Sequence, residues 1–173
     1  MKKRSDVKVI ESRESKIGGL GVFVLEAVKK GQVISEFRLE REITPETPLR
    51  LEKGERSEHC SMFDDRYCLV AIPERYLNHS CDPNTNLHYD ETGIHIVALR
   101  DIEAGTELTV DYLINNSGGD SWPCNCGSAR CRGKTGFSFF TLPKAFQREY
   151  LPLLAPWFVK NHSEEIERLK LIL

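Results

Sequence analysis

The chain has 173 residues, a formal net charge of −2 and 29% charged residues, which fits one soluble domain of ordinary size with room for a core. That charge excludes the strong basic excess of a dedicated nucleic-acid binder. No apolar run follows the basic start Met1–Arg4, which excludes a signal peptide and a membrane span; the expectation is cytoplasmic residence, nuclear in a eukaryote, with export as an effector left open. In a reducing compartment the six cysteines read as metal ligands and spare thiols, not three disulfides. The Asn-x-Ser sequons at Asn78, Asn115 and Asn161 then carry no glycan.

In chain order, residues 7–10 predict a short opening strand and Ser15–Gly21 a glycine-rich turn leading into a strand at Val22–Leu25. Val33–Leu39 predicts another strand, with Val33, Ser35 and Phe37 on one face. Residues 44–58 are polar, with two prolines, and read as loop or short helix. Strands are expected at Tyr67–Ile72, His95–Leu99 and Leu108–Val110, and a flexible connector at Asn115–Asp120. The tail differs: Lys144–Leu154 and Ser163–Leu173 predict helices interrupted near Pro152 and Pro156. Ser163 is placed as N-cap, Glu164 and Glu165 in the first turn, and Ile166, Leu169 and Leu173 as a core-facing stripe. The class is mainly β, several small sheets of short strands with a helical C-terminal tail.

Four segments carry chemistry. Gly18-Gly-Leu-Gly21 allows close backbone approach to a ligand, or is only a tight turn; it lacks both the dinucleotide-binding spacing and the Gly-Lys-Ser/Thr of a phosphate loop. Arg75-Tyr-Leu-Asn-His-Ser-Cys-Asp-Pro-Asn84 is too polar for a buried strand. A hydrolase pair of His79 with Ser80 or Cys81 is disfavoured, because adjacent residues of an extended chain point to opposite faces; a polar turn around a satisfied histidine is the plainer alternative. Glu107-Leu-Thr-Val-Asp-Tyr112 is a short strand ending in an acid and a phenol. Cys124, Cys126 and Cys131 leave a tetrahedral zinc one ligand short, and Cys81 is the natural fourth; four thiolates make a structural site. Three reduced thiols in a loop are the alternative. A second site from His59, Cys60 and Cys68 is less favoured than buried free thiols.

Gly19-Leu-Gly21, Arg75–Cys81, Glu107–Tyr112 and the cysteine cluster, in that order, make residues 7–137 resemble the SET-domain protein lysine methyltransferases. The resemblance implies a SET fold with a pseudoknot, in which the segments near residues 80 and 112 thread through one another. It divides the chain into a SET domain (1–115), a zinc-bound post-SET segment (116–137) and a helical extension (138–173). It implies S-adenosylmethionine as cofactor, held by Gly19, Leu20, Gly21, Arg75, Asn78, His79 and Tyr112, with Trp122 or Phe137 packing on the adenine. Tyr112 inherits the catalytic place, and Cys81, Cys124, Cys126 and Cys131 the structural zinc. Phe37, Tyr67 and Val110 fall on the substrate channel, where Phe37 stands in place of a tyrosine and leaves the number of methyl groups open. The implied activity is methyl transfer to a lysine of a histone-like, ribosomal or other basic protein, with no direct nucleic-acid or membrane partner. A non-catalytic SET-fold module that holds peptides is the alternative.

Overall fold

The computed structural model describes residues 10–119, 121–136 and 138–173. Among the described residues ten strands, all short, form three sheets, and three α-helices follow. The strands are β1 (Ile10–Glu14), β2 (Leu20–Val24), β3 (Val33–Glu36), β4 (Leu39–Glu42), β5 (Cys60–Phe63), β6 (Arg66–Val70), β7 (Asn78–His79), β8 (Thr85–Asp90), β9 (Gly93–Ala98) and β10 (Glu107–Val110). The helices are α1 (Lys144–Tyr150), α2 (Pro156–Asn161) and α3 (Ser163–Ile172). The sheets run β1-β2-β10-β7, β3-β9-β8 and β4-β6-β5. This is the mainly β architecture with a helical tail that the composition of the segments predicts. Among the described residues no helix is long and apolar enough to cross a membrane.

The segment expected as one strand from Val33 to Leu39 is two. The ladder of β3 with β9 shifts register between Val33 and Ser35, which undoes simple alternation. Ile34, Ser35 and Phe37 are therefore buried, while Val33 is 41% exposed. Phe37 N still bonds the Ile94 carbonyl, but the Arg38 carbonyl accepts from Ala71, so the chain changes sheets between these two residues. Residues 44–58 hold two 3₁₀ turns and no α-helix. Strands β5, β7 and β8 lie outside the predicted strands, and β7 buries His79 in a segment whose polarity argues against a buried strand. Strand β5 closes a hairpin through Asp64 and Asp65, both at positive φ (50° and 63°), a turn that Asp tolerates and that matches strand twist. Of the opening strand, residues 7–9 lie outside the described residues, and β1 begins at Ile10.

In the tail, Pro156 opens α2 instead of interrupting a helix, as suits its fixed φ and missing N–H. The N-cap of α3 is His162, not Ser163, and its side chain makes no capping bond; Glu164 and Glu165 do occupy the first turn. Ile166 and Leu169 are buried, at 1% and 6% exposure, with Leu173 packed beside them.

Two cores result. The sheets enclose Val22, Ile34, Phe37, Ile96, Leu108 and their neighbours. The helices enclose Leu113, Ile114, Phe139, Tyr150, Phe158, Ile166 and Leu169. Leu113 and Ile114 follow β10 directly, so the second core is anchored on the end of the Glu107–Tyr112 segment. Leu169→Ala is expected to destabilise the protein by about 2–4 kcal/mol, read from urea unfolding.

Candidate active site and cysteine centre

The site is built on one parallel strand pair. Asn78 lies opposite Thr109, His79 opposite Val110, and Ser80 N donates to the Val110 carbonyl at 2.9 Å. Asn84, at the end of the polar motif, extends this pairing with its side chain: its Oδ1 accepts from Thr109 N at 2.8 Å and its Nδ2 donates to the Glu107 carbonyl at 2.8 Å. An amide side chain can satisfy strand donor and acceptor together. Strand alternation then sends Asn78 and His79 to opposite faces.

On the Asn78 face, the side-chain amide donates to the Leu20 carbonyl (3.0 Å), to Glu107 Oε1 (2.8 Å) and, at 3.3 Å, to the Gly18 carbonyl. Glu107 also accepts from Ser15 Oγ at 2.8 and 2.9 Å. Gly19 has φ +51°, which turns the chain back so that its carbonyl accepts from Ser15 N at 2.9 Å. A Cβ at Gly21 would fall 2.2 Å from Glu107 Oε1, so only glycine leaves the carboxylate its place. The result is a cradle of two carbonyl oxygens and one carboxylate around the Asn78 amide.

On the other face, the His79 ring is buried, and its Nδ1 accepts from Tyr112 N at 3.2 Å. That acceptance puts the ring proton on Nε2, 3.3 Å from Cys81 Sγ. Burial is the main cause that lowers the His79 pKa to about 4, with Asp111 opposing and Arg132 assisting, so the ring is neutral near pH 7. The His79 side chain therefore braces the tyrosine and the cysteine centre, and only its backbone remains for a ligand.

Tyr112 donates its hydroxyl proton to the Leu77 carbonyl at 2.8 Å, with its ring 5.2 Å from that of His79. The residue is 39% exposed overall, but its hydroxyl end is desolvated. Burial first and the Glu107 carboxylate second push its pKa up to about 12. The phenol is thus neutral at working pH. With its proton committed to Leu77, the free lone pairs of its oxygen can only accept.

Cys81, Cys124, Cys126 and Cys131 bring their sulfurs within 4.8 Å of one another. Tetrahedral zinc with bonds near 2.3 Å needs sulfurs about 3.8 Å apart, and Cys81 and Cys124 stand at 3.8 Å. Arg132 N and Gly133 N donate to Cys81 and Cys131, both at 3.4 Å, and Ser128 Oγ lies 3.4 Å from Cys126. Such outer donors stabilise thiolates around a metal. The cluster can hold a metal ion, and its donor set suits zinc.

Other predicted residues fall elsewhere. Arg75 is spent on the Val70 carbonyl (2.9 Å) and Glu40 (2.7 Å), in the sheet of β4 and β6. Phe37 packs on Phe63 in the first core, with Val110 against the same cluster. The Tyr67 hydroxyl donates to the Ser57 carbonyl at 3.2 Å. Trp122 is half-exposed, and its carbonyl accepts from Thr135 N. Phe137 lies outside the described residues. Cys68 is a core thiol, and Cys60 is a half-buried thiol donating to the Arg56 carbonyl at 3.8 Å. The sequence alone assigns no role to Ser15 and Glu107, which complete the Asn78 face, or to Asp111 and Arg132, which stand beside His79. Glu107 and Asp111 belong to the Glu107–Tyr112 segment, and Arg132 directly follows Cys131.

The family model of the SET domain matches residues 19–113. The H3 lysine-4 specific histone-lysine N-methyltransferase of Saccharomyces cerevisiae is 31% identical over 140 residues, 73% of this chain and 13% of that protein. Two Arabidopsis thaliana histone-lysine N-methyltransferases are also similar: ASHR3, 30% identical over 151 residues (78% of this chain, 29% of its own), and ASHH3, 46% over 66 residues (36% and 18%). The chain thus spans less than a third of the length of each of these relatives.

Proposed function

The chain belongs to the SET-domain family, and from that premise we propose that it is a protein-lysine N-methyltransferase that uses S-adenosylmethionine. The observation that carries the proposal is the bond of the Asn78 amide to the Glu107 carboxylate beside that of the Tyr112 hydroxyl to the carbonyl of Leu77, the residue before Asn78. The cofactor supplies a methyl group made electrophilic by a sulfonium centre. The oxygen-rich cradle of Gly18, Leu20, Asn78 and Glu107 suits its ammonium group, and the backbone of His79 borders the same strand. Residues 1–115 then act as the SET domain, 116–137 as the post-SET segment, whose Cys124, Cys126 and Cys131 share a zinc with Cys81, and 138–173 as an extension.

A lysine amine, with pKa near 10.4 in water, must shed its proton before it can attack. A desolvated channel disfavours the ammonium form. The Tyr112 oxygen, restricted to accepting, orients the neutral amine and attracts polarised C–H groups. Positioning then supplies much of the rate, with no general base needed at the reacting nitrogen. The substrate is a protein; the named relatives are histone enzymes, which makes a basic, histone-like substrate the first to try.

Incubation with labelled S-adenosylmethionine and a panel of basic proteins is expected to label lysine. Binding without transfer to any protein would overturn the enzyme reading and leave a peptide-holding module. Asn78→Ala is expected to cost roughly 1–2 kcal/mol of cofactor affinity, about a tenfold rise in Kd by calorimetry.

A further inference from the structure

The extension has no part in the chemistry above, yet its first helix reaches the site through two arginines of the cysteine segment. The guanidinium carbon of Arg130 lies 4.4 Å from the centre of the Phe146 ring on α1, and that of Arg132 lies 5.1 Å from it. Arg130 adds a fork to Glu149 of the same helix, at 3.1 and 2.5 Å. Arg132 reaches the other way. Its two terminal nitrogens donate to the two oxygens of Asp111 at 2.7 and 2.8 Å. The Asp111 side chain is fully buried and that of Arg132 is 11% exposed. Tyr150, also on α1 and fully buried, puts its hydroxyl 3.5 Å from the Cys81 carbonyl.

Asp111 does more than answer Arg132. Its Oδ1 accepts from Leu113 N at 3.1 Å, and its carbonyl accepts from Ile114 N at 3.1 Å. One residue therefore shapes the turn in which Tyr112 sits, and His79 Nδ1, which accepts from Tyr112 N, stands 3.6 Å from the Asp111 carboxylate. We propose that the C-terminal extension is a positioning element for Tyr112: α1 seats Arg132, Arg132 fixes Asp111, and Asp111 sets the turn that carries the tyrosine. Its catalytic consequence rests on the methyltransferase reading; the positioning itself does not.

The planar guanidinium matches both carboxylate oxygens at once, and an ammonium cannot, so Arg132→Lys keeps the charge and loses the fork. Phe146→Leu keeps an apolar side chain under the arginines and removes only the aromatic face. Leu169→Ala, on α3 and not α1, serves as the control for loss of core packing alone.

The test is NMR of the full chain labelled with ¹³C-tyrosine, the Tyr112 signal being the one missing in Tyr112→Phe. The signal is expected to move in Arg132→Lys, to move less in Phe146→Leu, and to stay in place in Leu169→Ala. Arg132→Lys is also expected to lower kcat about a hundredfold, with cofactor Kd little changed. A Tyr112 signal unmoved in Phe146→Leu and Arg132→Lys, or moved as far by Leu169→Ala, overturns the proposal. Should Arg132→Lys fail to fold, Phe146→Leu decides alone. Should the wild-type chain methylate nothing, the methyltransferase reading falls and the tyrosine signal still decides the positioning.

Discussion

Tyr112→Phe is expected to reduce methyl transfer by about a hundredfold or more, the range seen when one preorganised polar group is removed from a reacting centre. The variant keeps the ring beside His79 and removes only the oxygen. It leaves the Asn78–Glu107 cradle untouched, because Tyr112 shares no hydrogen bond with it. Cofactor Kd should therefore stay near wild type while single-turnover transfer collapses. The Leu77 carbonyl loses a partner, a cost of about 1 kcal/mol in stability, too little to unfold a domain of ordinary stability. Turnover near wild type in this variant would move the catalytic assignment away from Tyr112.

Metal removal is the second large effect. Strong chelation is expected to release about one zinc per chain, lower the melting temperature and abolish transfer. Cys81 joins residues otherwise distant in sequence: its sulfur meets the His79 ring, Cys124 and Arg132 N. Without a metal, four sulfurs that repel as thiolates or protonate as thiols have no reason to converge. His79 then loses its neighbour on Nε2, and through Nδ1 the disturbance reaches Tyr112 N. Colorimetric zinc release alongside thermal unfolding measures both halves. Full activity in demonstrably metal-free protein would refute the structural role.

Much of this was legible in the sequence, for physical reasons that differ by residue. The cysteines were readable because thiolate spacing has few other uses. The Asn78–Asn84 run was readable because so polar a segment is costly to bury unless its groups find partners. The side-chain direction of His79 depends on strand register, which is fixed by the pairing with Val110. Arg75 looked like part of the site from its neighbours, but its partners Val70 and Glu40 come from another sheet. Glu107 and Ser15 stand far apart in the chain, and only folding puts them together. In the Val33–Leu39 segment the bulge defeated the alternation rule on which the reading relied.

The parallel pairing of β7 with β10 also bears on how the chain folds. Its rungs join Asn78 to Thr109, and the Ser15–Glu107 bond spans 92 positions, so the cradle closes only after long loops have been ordered. Loop-closure entropy delays such contacts relative to local hairpins such as β5–β6 and β8–β9. Ligand binding at the cradle is therefore expected to be among the last properties regained on refolding, well after the hairpins have formed their amide hydrogen bonds.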